Sequence, residues 1–182
     1  MTVMYAALLR GINVGGRRKV PMAELREVLG GLGYEAVRTY LQSGNAVFAA
    51  PPGDDDGLRA EIEDALLDRF GFATECLVRD APYLKRVMDA CPFDAGSLEG
   101  RQLHVTYYSR PVGPERLDGI DAAAFLPEEF RLGDRALYLY APDGVGRSPL
   151  AQALDKRALP AGTVATSRNW NTVVKLVELT HA

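Results

Sequence analysis

Short apolar runs alternate along this chain with apolar positions at helical spacing. Val3–Leu9 is unbroken apolar sequence, as expected of a strand buried on both faces. Met22, Leu25, Val28, Leu29 and Leu32 then recur with a helical period, and Gly33 supplies a stop. Pro21 fits the first turn of that helix, where no N–H is needed. Strands are expected at residues 36–42 and 46–50, with Ser43-Gly44-Asn45 as the turn between them. Asp54, Asp55 and Asp56 precede a helix carrying Leu58, Ile62, Leu66 and Phe70, where carboxylates complement the helix dipole; Gly71 closes it. A strand over residues 72–78 leads into a helix capped by Asp80, with Leu84, Val87, Met88 and Cys91 on one face.

The second half has the same rhythm. Leu103, Val105 and Tyr107 alternate as a strand, and Pro114 is expected to open a helix that includes Leu117 and Ile120. A hairpin comes next, over residues 130–132 and 136–140, turned at Gly133-Asp134. Ala141-Pro142-Asp143-Gly144 echoes Ala50-Pro51-Pro52-Gly53. Ser148 caps a helix with Pro149 in its first turn, and residues 162–165 resume a strand. A last helix holds Trp170, Val173, Val174 and Val177, capped by Ser167 or Asn169. The pattern predicts an α+β protein with two ferredoxin-like β-α-β-β-α-β halves, an internal repeat with mainly antiparallel sheets. The polar, glycine-containing connection at residues 93–100 divides them into an N-terminal half, 1–95, and a C-terminal half, 101–182.

Composition narrows the function classes. A hydrophobic share of 47% and a charged share of 25% over 182 residues are ordinary for a globular protein. A net charge of −3 argues against general coating of nucleic acid. Cys76 and Cys91 are too few for a disulfide framework and read as small hydrophobes, and His104 and His181 form no zinc-type pattern with them. Arg10 interrupts the apolar opening, and no later segment is long enough to span a bilayer, so the expected location is cytoplasmic.

Residues 10–19 carry the chemistry that stands out, because Gly11, Gly15 and Gly16 are mixed there with Arg10, Arg17, Arg18 and Lys19. Glycines allow backbone N–H groups to converge on an anion, and the next helix presents its positive end. The spacing matches neither the P-loop nor the dinucleotide-binding fingerprint, and a plain solvated loop accounts for the same residues. Trp170 reads as a core anchor, with ring stacking as the alternative.

Arg10-Gly11-Ile12-Asn13-Val14-Gly15-Gly16, Leu41-Gln42-Ser43-Gly44-Asn45 and Arg168-Asn169-Trp170, in that order, resemble a bacterial family catalogued as domain of unknown function sixteen-ninety-seven. The segment Lys19-Val20-Pro21-Met22 also matches the pattern. The resemblance implies ferredoxin-like halves and brings no established activity, substrate or cofactor. It singles out Arg10, Asn13, Gly15, Gly16, Arg17, Arg18, Lys19, Gln42, Ser43, Asn45, Arg168, Asn169 and Trp170 as candidate ligand-binding residues. The expectation is that these loops converge on a pocket for a nucleotide or phosphorylated metabolite, with guanidinium and amide donors. Three alternatives stay open: a phosphate-handling enzyme working by positioning, an RNA-binding module using Tyr107, Tyr108, Tyr138 and Tyr140, and a purely structural or interaction protein. No nucleophile–base pair is visible in the motifs, and the residues leave oligomeric state open.

Overall fold

The computed structural model describes residues 1–182. It divides into two compact units, Met1–Lys85 with Leu176–Ala182, and Arg86–Lys175. The first holds β1 (Val3–Leu9), α1 (Met22–Gly31), β2 (Glu35–Tyr40), β3 (Asn45–Ala50), α2 (Asp55–Phe70) and β4 (Cys76–Asp80). Its antiparallel sheet has the order β2-β3-β1-β4, the ferredoxin-like arrangement. Tyr5, Ala6, Ala7, Leu8 and Leu9 are all buried, as the unbroken apolar run requires. One face of the sheet, with Ala7, Leu9, Phe48 and Val78, packs with Leu25 and Leu29 of α1 and Leu58, Ile62 and Leu66 of α2. Phe48 stacks between Tyr34, 4.5 Å away, and Tyr5, 5.8 Å away.

The second unit holds β5 (Leu103–Tyr108), β6 (Glu129–Gly133), β7 (Ala136–Tyr140), α4 (Pro149–Asp155) and β8 (Ala165–Asn169). Its sheet has the corresponding order, β6-β7-β5-β8, again antiparallel. α3 (Ala81–Asp89) comes after β4, and α5 (Trp170–Thr180) after β8. Leu137, Leu139 and Leu150 form a core with Tyr108 and Leu117.

Three side-chain caps sit where the sequence predicts them. Asp54 accepts from the Gly57 N–H at 2.6 Å, Asp80 from Tyr83 at 2.9 Å and Ser148 from Ala151 at 2.9 Å. Gly71 closes α2 at φ 77°.

Several boundaries differ from those the sequence predicts. Pro21 caps α1 rather than sitting inside its first turn. The β2–β3 turn runs over residues 41–44, so Asn45 opens β3 and is buried. β4 begins at Cys76 because its ladder is set by β1, with Leu9 opposite Cys76 and Tyr5 opposite Asp80. β8 begins at Ala165, since the Val164 N–H is taken by the Ser109 hydroxyl at 2.8 Å before the ladder starts. The largest difference lies between β5 and β6. No α-helix forms at Pro114; the chain makes two single 3-10 turns, Pro114–Leu117 and Ala122–Phe125. Asp121 accepts from Ala123 at 3.2 Å and starts a second turn, a side-chain bond that competes with helix continuation.

Gly44 fixes the close approach of the β2–β3 turn to β1. Its φ is 97°, and a methyl group there would lie 2.8 Å from Leu9 Cβ and 2.9 Å from Ile12 Cδ1. Gly44→Ala is expected to cost roughly 2 kcal/mol or more, through strain at positive φ and overpacking. Urea unfolding with an unchanged m-value checks this.

Candidate functional site

At the end of β1 the Leu9 N–H donates to the Gly44 carbonyl at 2.8 Å, and the Arg10 N–H donates to that of Glu75 at 2.9 Å. The next residues therefore leave the sheet between the β2–β3 turn and the segment before β4. Instead of an open nest they form a short hairpin. Val14 bridges to Arg17, and Gly15 and Gly16, at φ 58° and 72°, make the two-residue turn that such a hairpin needs. Ile12 and Val20 are buried at the hairpin's base, in the first unit's core.

The Asn13 side chain joins this hairpin to its neighbour. Its Nδ2 donates to the Val20 carbonyl at 2.9 Å and to the Gln42 carbonyl at 2.8 Å. Its Oδ1 accepts from the Val20 N–H at 2.8 Å. Arg18 is also held: Nε donates to Gly11 O at 3.0 Å, Nη2 donates to Ala73 O, and the guanidinium lies 4.9 Å from the Phe72 ring centroid. Arg10 pairs with Glu75 at 3.1 Å, but both side chains are more than half exposed, so the pair contributes little stability. In the β2–β3 turn, Asn45 Nδ2 donates to Tyr40 O at 2.8 Å and to Ser43 Oγ at 3.2 Å.

These bonds shape a cavity of about 430 Å³ lined by Asn13, Gly16, Lys19, Val20, Met22 and Gln42, with Pro21 at the start of α1. Lys19 and Gln42 make no side-chain hydrogen bond or ion pair within the protein, and neither does the exposed Arg17. The cavity therefore has fixed walls and two uncommitted polar groups, an ammonium and an amide. Together they can accept an oxyanion and orient what it carries.

Arg168, Asn169 and Trp170 belong to the second unit. They do not form a loop: Arg168 and Asn169 end β8, and Trp170 begins α5. Arg168 is buried and donates to Thr166 Oγ1 at 2.8 Å and to Ser167 O at 3.0 Å. Burial lowers its pKa to about 10, so the guanidinium still carries its charge at neutral pH. Asn169, and not Ser167, caps α5, accepting from the Thr172 N–H at 3.0 Å. Trp170 is half-buried.

Sequence reasoning missed a second buried guanidinium. Arg79 lies in β4, paired with Asp55 at 3.2 Å and placed over the Tyr83 ring at 5.2 Å. Its only signal is a cation inside an apolar strand. For His104, burial lowers the pKa and favours the neutral imidazole. Cys76 is buried, and burial raises its pKa, whereas Cys91 is only half-buried. Tyr107, Tyr108 and Tyr138 are buried, which leaves them no face on which a base could stack.

The family model described as protein of unknown function (DUF1697) matches residues 1–138. Among solved structures, the conserved bacterial protein SP0830 from Streptococcus pneumoniae is similar, with a TM-score of 0.74 and 24% identity over 99% of each chain. At that identity the likeness shows the fold alone. A search of curated proteins finds no significant match.

Asn13→Ala removes three hydrogen bonds and leaves the Val20 N–H and carbonyl without those partners. A loss of about 1–3 kcal/mol is expected. Amide hydrogen exchange at Val20 should rise well above that of the β1 core, which locates the loosening in the hairpin.

Proposed function

We propose that this chain, which belongs to the family of proteins of unknown function DUF1697, binds a small anionic molecule in the cavity between the 10–19 hairpin and the β2–β3 turn. The ligand class is a nucleotide or a phosphorylated metabolite. Lys19 receives the phosphate as a compact, mobile point charge. The Gln42 carboxamide, a donor and an acceptor, orients the remainder. Arg17 adds exposed positive charge in the hairpin next to Gly16, which lines the cavity, and the positive end of the α1 dipole acts in the same direction. Val20 and Met22 supply the apolar wall.

One observation carries this reading. Asn13, Asn45 and Arg18 are engaged in fixing the loops and Arg10 is paired with Glu75, while Lys19 and Gln42 line a cavity with no structural bond to make. A turn needs neither of those two side chains. Asn13, Ser43 and Asn45 act here by holding the walls. The reading uses the first unit alone; the bonds of Arg168 and Asn169 account for those two residues within the second.

Thermal unfolding across inorganic phosphate, ADP and succinate tests the proposal. The expected result is a saturable rise in Tm with the phosphorylated compounds, by linkage of binding to the folded state. Lys19→Ala and Gln42→Ala should each weaken the response by about tenfold without lowering the unliganded Tm, since neither side chain contributes a bond to the fold. A flat response across the panel defeats the idea.

A further inference from the structure

The replaced helix of the second unit leaves a second cavity, unrelated to the first. Between the 3-10 turns after β5 and the helix α4 lies a space of about 420 Å³. Its apolar wall is Ile120, Phe125 and Pro149; its polar groups include Gln152, Lys156 and Arg157. Ile120 and Phe125 are half-buried members of the second unit's core, so they are held in place from behind.

Arg157 is the unusual member. It is half-buried, yet its guanidinium makes no hydrogen bond or ion pair. It lies against Gly119, where a methyl group would overlap the guanidinium and displace it. A planar group with five donors, pressed against a glycine and partly withdrawn from water, lacks an acceptor. Lys156 is exposed beside it and also has no partner. Asp121 is the only carboxylate lining the space, and its Oδ1 accepts from the Ala123 N–H. Two cations therefore face one carboxylate that already holds a cap. The short α4 also gains from cations after its last turn, but that effect does not need Arg157 withdrawn from water against Gly119.

We propose that this cavity binds an amphipathic anion: a carboxylate or phosphate held by the Arg157 fork with Lys156, and an aromatic or branched apolar body resting on Ile120 and Phe125. The guanidinium geometry suits either oxyanion in a bidentate contact. The apolar wall excludes a bare inorganic ion as the preferred guest, because burial of the ligand's apolar part supplies the remaining affinity.

The test is an amide NMR titration of the full chain with phenylacetate, phenyl phosphate, benzyl alcohol and acetate. The expected result is saturable shift changes at residues 119–125 and 150–157 with one or both aromatic anions, which also decides between carboxylate and phosphate. Benzyl alcohol and acetate should bind at least about tenfold more weakly. Arg157→Gln should reduce affinity for the aromatic anion by about tenfold, the loss of a charge-assisted pair. Gly119→Ala, which displaces the guanidinium and leaves its charge, should reduce it in the same direction. Lys19→Ala should leave it unchanged, so failure of the first-unit site and failure here are separable. Shift changes absent from these segments, equal binding of benzyl alcohol, or an unaltered Arg157→Gln titration overturns the proposal.

Discussion

β1 is hydrogen-bonded along both edges and buried on both faces, and that constraint decides where the polar loops go. Its register sets Leu8 opposite Asn45 on one side and Leu9 opposite Cys76 on the other. The C-terminal end of β1 must then emerge beside the start of β3 and the start of β4. A chain leaving that point starts residues 10–19 beside the β2–β3 turn, with the Leu9 N–H donating to the Gly44 carbonyl. The loop residues then determine how firmly the two segments are joined, and Asn13 and Gly44 make that join. Asn13 bonds across the gap, and Gly44 removes the side chain that would hold it open. Sheet pairing, set by apolar residues, thus fixes the rough placement of the candidate site, and one carboxamide and one missing methyl group refine it.

A polar side chain beside a cavity has either a structural or a ligand-facing task, and the bonds distinguish the two. Asn13 uses both ends of its amide on the backbone, and Arg18 spreads its donors over two carbonyls while covering Phe72. Removing such a group would report on folding before it reported on binding. Lys19, Gln42 and Arg157 stand on the other side of that division. Each keeps its hydrogen-bonding capacity open, and each costs the fold little if replaced. A motif with its arginines and asparagines in common therefore does not identify which of them would touch a ligand.

Much of the fold was legible because its signals are local. The apolar run of β1, the caps at Asp54, Asp80 and Ser148, and the glycine that ends α2 each rest on a few neighbouring residues. The misplaced elements depended on distant partners. β4 starts where β1 can pair with it, and β8 starts only after Ser109 has taken the Val164 N–H. The expected helix at Pro114 had an apolar spacing of three between Leu117 and Ile120, but the first turn stops at Leu117, and Asp121 accepts from the Ala123 N–H to start a separate one. For the site, the glycine pair and the basic cluster were readable, and their closure into a hairpin was not. That closure depends on Asn13 and Arg18 both adopting positive φ, at 54° and 51°, which no spacing rule encodes.

The two units fill one ferredoxin-like strand order with different helices, and the difference governs how well each sheet is covered. In the first, α2 runs 16 residues and places Leu58, Ile62 and Leu66 against the sheet. In the second, the corresponding α4 runs only seven residues, and the preceding crossover has no α-helix. Fewer apolar side chains then reach the sheet, and Ile120, between the two 3-10 turns, and Phe125, at the end of the second, are only partly buried and line the cavity. An arginine set against Gly119 beside those residues is half-buried while its head lacks an acceptor. The same strand order thus leaves an open edge in one unit where the other closes its core, and the residues at that edge are free to serve a ligand because the fold does not require their polar groups.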